Sequence, residues 1–144
     1  MTVVSSDRWT GGSSERVFAS LDFLYTPAPD VDAAIAHFVD DLGAELLWKV
    51  RAMGTTVAAV QMSTAGPLVL LAGHLDGETP ILVSRVEDYG RTTAGLRTAG
   101  VMLHALEIPH GPCAAFSTLG GQRLAVYELT RPQAVTLFDG RIDP

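Results

Sequence analysis

"PAPDVDAAIAHFVDDLGAELLW", residues 27–48, starts as a helix and finishes as a strand. Asp30 stands where an N-cap belongs, shortly after a proline, and Val31, Ile35, Phe38 and Leu42 follow at helical spacing. Gly43 ends the run, and Leu46 and Trp48 then step by two, the period of a strand. Upstream, "VFASLDFLYT" (17–26) alternates as a strand with Leu21, Phe23 and Tyr25 on one face. Downstream, residues 44–51, 55–62 and 68–72 read as three strands, parted by Gly54 and by "STAGP" at hairpin turns. The unit is therefore β-α-β-β-β.

The same order returns beyond "GHLDGETP" (73–80), a polar stretch full of turn formers. "ILVSRV" is a strand, and "EDYGRTTAGLRTAG" is a helix with acidic residues at its start and Gly100 past its end. "VMLHALEI", "CAAFSTL" and "QRLAVYEL" are three further strands. Asp88 aligns with Asp30, and Gly100 with Gly43. Gly90, Gly95 and three threonines lower the second helix's intrinsic propensity, but the repeated order places a helix there. One such half alone would leave a sheet face bare, so the two belong to one core. The expected organisation is an arm at 1–16, a single domain at 17–129 (modules 17–72 and 80–129, linker 73–79) and a tail at 130–144. Val135, Leu137 and Phe138 in that tail call for docking, on the same chain or on a partner.

Composition narrows the function. The chain has 144 residues, 47% of them apolar, and a net charge of −6 with Lys49 its only lysine. Nucleic acid, which needs a basic stripe, is disfavoured, and no apolar run approaches the ~20 residues of a membrane span. The start of the chain shows neither the charged nor the apolar region of a signal peptide, and Cys113 has no partner for a disulfide. Both point to the cytoplasm, with Cys113 a small buried strand residue rather than a nucleophile. No nucleophile elbow and no phosphate-binding glycine loop is present.

The paired units, with "PD…AIAHFVDDLGAEL" in the first half, "VEDY…LRTAGV" in the second and "GPCAAFSTLGGQRLAVYEL" at the close, resemble the vicinal oxygen chelate superfamily. That group includes glyoxalase I, extradiol dioxygenases, methylmalonyl-CoA epimerase and the bleomycin-resistance proteins. The resemblance spans residues 21–129 and implies an α+β fold: two βαβββ modules forming a cup-shaped mixed sheet, with helices on its outer face. It also implies a homodimer, since a second copy commonly completes such modules.

Metal-dependent members place one ligand on the first and one on the last strand of each half, pointing into the cup. By resemblance those positions are Phe23, Ile81, Leu70 and Ala125, none of which offers a lone pair to a divalent ion. No metal and no cofactor is expected. "HALEIPH" is no substitute: Glu107 alternates away from His104 and His110, and Pro109 interrupts the strand. His110 and His74 read as solvated, and His37 as a residue at the edge of the helix–sheet interface.

The face that remains is apolar, aromatic and sparsely polar, which is what a ligand cleft looks like. Its expected ligand-binding residues are Phe23, Tyr25, Trp48, Ile81, Arg85, Arg123, Ala125 and Tyr127, with Leu21, Val83, Met53 and Met62 as further wall candidates. No catalytic residue stands out. The reading is a metal-free binder of an aromatic or amphipathic small molecule, like the bleomycin-resistance proteins. The alternative is a cofactor-independent lyase or isomerase. Arg85 and Arg123, the only inward charges, suggest a planar or aromatic ligand with a carboxylate or another anionic group.

Overall fold

The computed structural model describes residues 17–144; the expected arm at 1–16 lies outside the described residues. The first module runs β1 (Phe18–Pro27), α1 (Val31–Ala36), β2 (Glu45–Ala52), β3 (Thr55–Gln61) and β4 (Leu68–Ala72). The second runs β5 (Ile81–Val86), α2 (Tyr89–Thr98), β6 (His104–Ile108), β7 (Gly111–Ser117) and β8 (Arg123–Tyr127). The eight strands form one mixed sheet in the order β2-β3-β4-β1-β5-β8-β7-β6. The modules meet at the antiparallel pair β1–β5, while β1–β4 and β5–β8 are parallel. This is the α+β duplication that the repeated order implies.

The helices start the same way. Asp30 accepts from the Ala33 amide at 3.0 Å, and Asp88 from the Arg91 amide at 3.0 Å, each supplying a first-turn amide with an acceptor. Val31, Ala34, Ile35 and Phe38 then pack on Ala58, Val60, Val69 and Leu71. Tyr89 and Leu96 pack on Val86, Ala114 and Val126. Thr93, buried mid-helix, gives its hydroxyl proton to the Tyr89 carbonyl at 2.9 Å, so its polar atom costs little there. The first helix departs from expectation at its end. A π-helical turn, His37–Asp41, closes through the Leu42 amide to the His37 carbonyl at 3.2 Å. The wider turn rotates Leu42 off the apolar stripe and leaves it exposed. His37, also exposed, pairs with Asp41 across the same turn.

Both helices cover one face of the sheet, and the opposite, concave face carries the alternate residues. The tail closes one sheet edge. After a short 3-10 helix (Pro132–Thr136), Gly140 donates to the Leu47 carbonyl, Lys49 to that of Arg141, and Asp143 to that of Lys49, at 3.0, 2.8 and 2.9 Å. Phe138 lies on Trp48 with ring centroids 5.2 Å apart. The tail thus docks on its own chain, though Val135 and Leu137 stay exposed. At the other edge, β6, no such cover is present among the described residues.

Gly111 opens β7 at φ +153°, where a Cβ would overlap the Glu128 carbonyl oxygen. Only glycine admits that approach, which brings the β6–β7 turn against the segment that follows β8.

Candidate functional site

β1 is not a regular strand, and its irregularity builds the site. Leu21 pairs with Ser84 and Phe23 with Val83, so Asp22 is an extra residue in a β-bulge. Leu21 turns to the helix side, against the expectation that it lines the cup. Asp22, which strict alternation would send outward, turns to the concave side.

There Asp22 accepts three hydrogen bonds: from Ser20 Oγ at 2.6 Å, from Arg85 Nε at 3.0 Å and from the Tyr127 hydroxyl. Its side chain is 15% exposed and that of Arg85 40%. The bond to Asp22 is the main cause that raises the Arg85 pKa above its ordinary value. Burial, first, and the Asp22 bond push the Tyr127 phenol well above its usual range, so Tyr127 is a fixed donor. Neither Asp22 nor its role is visible in a period-two pattern. Ser20 and Asp22 themselves step by two, so no local signal in the sequence marks the bulge.

His110 completes this corner. It sits in the β6–β7 turn with its ring edge-on to Phe23 (5.4 Å) and to Tyr127 (5.7 Å). Its Nδ1 is buried with no hydrogen-bond partner, and its carbonyl accepts from the Thr130 and Arg131 amides. Burial, chiefly, lowers its pKa, so the ring is neutral near pH 7. The solvated histidine expected from sequence is instead half-buried among aromatics, because the Pro109–His110 turn folds back over the concave face.

The rest of the expected set shares that face. Tyr25 pairs in register with Ile81, Ile81 with Arg123, Val83 with Ala125, and Arg85 with Tyr127. Phe23, Tyr25 and Ile81 pack on Val83, Cys113, Ala125 and Tyr127. Cys113 is buried, its thiol pushed up to about 11 by burial, so it is an inert core residue. Trp48 faces the same side at the far end, under Phe138. Met53 is fully exposed at a turn tip and Met62 is exposed past the end of β3, so neither is a wall.

At the rim between the modules, two side chains hold the linker. Arg123 donates to the carbonyls of Asp76 (2.9 Å) and Thr79. His74 is not free in solvent: its Nε2 lies 2.6 Å from the Tyr25 hydroxyl and its Nδ1 3.2 Å from Thr55 Oγ1. Burial raises the Tyr25 pKa, so its phenol stays protonated in this contact. Glu128 points to the helix side, where it caps the Tyr89 amide at 2.8 Å.

No family model and no curated protein matches the sequence. Solved structures do match. Methylmalonyl-CoA epimerase from Mycobacterium tuberculosis superposes with a TM-score of 0.69 at 21% identity, over 84% of this chain and 95% of that one. A variant of the Streptomyces coelicolor epimerase, in complex with 2-nitronate-propionyl-CoA, gives 0.64 at 14% identity, over 79% and 99%. The chain has the vicinal oxygen chelate fold. TnmS3, an antibiotic binding protein from Streptomyces sp. CB03234, matches at a TM-score of 0.40, too low to bear on function.

In a vicinal oxygen chelate cup the metal-ligand positions lie between the first and last strands of the modules. Here those positions, Phe23, Leu70, Ile81 and Ala125, fall on the concave face by register and carry only hydrocarbon side chains. The donor set does not fit a divalent ion. Among the described residues no three His, Cys, Asp or Glu side chains converge elsewhere.

Proposed function

We propose that this protein binds a small aromatic or amphipathic molecule on its concave face, without a metal. One observation carries the reading: a polar corner of Asp22, Arg85, Tyr127 and His110 stands at one end of an apolar, aromatic floor. On that floor Phe23, Tyr25 and Ile81 are only partly buried, over the buried Ala125 and Tyr127. A face that existed merely to be filled would not gather a guanidinium, a carboxylate and an imidazole.

A thermal-shift screen of aromatic metabolites and antibiotics tests it. Binding to the folded state raises the melting temperature with ligand concentration. The shift should vanish in Phe23→Ala, which removes the ring that packs against His110 and Tyr127 and leaves Asp22 and Arg85 in place. A hit whose shift survives that change, or no hit at all, refutes the site.

A second reading, a cofactor-independent lyase or isomerase, rests on His110, a neutral imidazole beside a fixed phenol donor. Such a base would give a rate that falls with acid along the His110 titration.

Two further expectations belong here. A second copy would fit the uncovered β6 edge, so the solution form is a homodimer. The single buried, unpaired cysteine suits a reducing compartment such as the cytoplasm. No helix is long and apolar enough to cross a membrane.

A further inference from the structure

We infer that the ligand of the concave face is a neutral aromatic bearing a carbonyl acceptor (a ketone, quinone, ester or amide) rather than a carboxylate. The inference rests on the ligand-site reading above and names its chemistry.

The two inward guanidiniums invite a carboxylate on sequence grounds, but the structure gives neither of them to one. Arg85 already faces a carboxylate of its own chain, since Asp22 takes its Nε–H at 3.0 Å. A ligand carboxylate at the Nη end would lie across one guanidinium from Asp22, and like-charge repulsion would offset the attraction. It would also lose its hydration in an aromatic floor without a net counter-charge. Arg123 stands at the rim with its guanidinium held by the Asp76 and Thr79 carbonyls and packed on Gly77.

The other charges near the corner are paired too. Arg131 binds Glu107 and the Pro109 and Ile108 carbonyls behind the His110 turn. His110 adds no positive charge, being held neutral by burial.

Hydrogen-bond donors remain. Among the described residues the Arg85 guanidinium donates one hydrogen bond, from Nε to Asp22, out of its five N–H groups. A corner of no net charge with spare N–H donors suits a neutral oxygen acceptor. Such an acceptor gains a charge-assisted hydrogen bond and avoids the cost of desolvating an ion. Phe23, Tyr127 and His110 present ring surfaces beside that corner for a planar ligand.

Three near-isosteric probes separate the cases: acetonaphthone, naphthoate and ethylnaphthalene, substituted at the same ring position and titrated by calorimetry. For the wild type, acetonaphthone should bind at least about tenfold more tightly than naphthoate, and more tightly than ethylnaphthalene. Asp22→Asn leaves Arg85 unpaired, so the ratio should shift towards naphthoate by about tenfold or more. Should that variant not fold, Arg85→Met should erase the advantage of acetonaphthone over ethylnaphthalene. The inference is overturned if the wild type prefers naphthoate, if Asp22→Asn leaves the ratio unchanged, or if Arg85→Met leaves that advantage intact. Failure of all three probes to bind would overturn the site itself and the inference with it.

Discussion

Asp22 holds three donors on two oxygens, so each donor can be removed singly and its share measured. Tyr127 is the most buried of them, 1% exposed. Tyr127→Phe keeps the ring against Phe23 and His110 and deletes only the bond to a carboxylate. That should cost about 1.5–3 kcal/mol of unfolding free energy, read from urea denaturation. No loss would mean the hydroxyl contributes nothing to the corner. His110 gives a pH test. Burial lowers its folded pKa below the free value of 6.5; Asp22 facing it raises the pKa, while Arg85 and Arg131 lower it. As pH falls, the unfolded chain takes up this proton first. The neutral ring's stabilisation is therefore complete above about pH 6.5 and declines as pH drops through and below it. Relative to His110→Phe, the wild type should lose stability as pH falls below about 6.5, with the urea midpoints diverging. Phe23, Tyr25, Arg85 and Tyr127 were legible because alternation fixes their face. Asp22 was not, since one extra residue reverses the alternation, and nothing local in "SLDF" marks a bulge. His110 was missed for another reason: a ring on a two-residue turn has no strand parity to read.

At the scale of elements, the tail is the part whose role a deletion exposes most directly. It satisfies the outer amides of β2: Lys49 through the Arg141 carbonyl and Arg51 through Asp143 Oδ2, both at 2.8 Å. Truncation after Thr130 should turn the Lys49 and Arg51 amides from slow to fast hydrogen exchange while those at the β1–β5 junction stay protected. Equal protection in the truncated chain would show that the docking contributes nothing. Phe138→Ala should cost on the order of 1–2 kcal/mol, because the ring is only part-buried on Trp48. All eight strands and both helices could be found from the sequence, since turn residues and capping aspartates bound nearly every one. The second helix emerged despite its glycines and threonines: Asp88 caps it and Tyr89 and Leu96 anchor it, so tertiary packing overrides propensity. The π-helical turn was not legible, and the tail's apolar residues called for docking without saying that β2 receives it. Both depend on which atoms lie opposite, and no spacing encodes that.

For the whole molecule, the duplication makes a sheet with two unlike ends, one covered by the tail and one uncovered at β6. Pairing through β6 about a twofold axis would close the assembly at two copies. Light scattering at micromolar concentration should give the dimer mass, and a proline at Ala105, whose amide faces away from β7, should give the monomer. A wild-type monomer would leave the β6 edge without a partner. The linker carries a different consequence. The two halves are complete βαβββ units joined across β1–β5, and Arg123 grips the linker at Asp76 and at Thr79, on both sides of Gly77. The covalent bond after Gly77 is therefore topologically dispensable. Cleaved there, the chain should behave as a split protein: two pieces, each insoluble or unfolded alone, that complement one another when co-expressed.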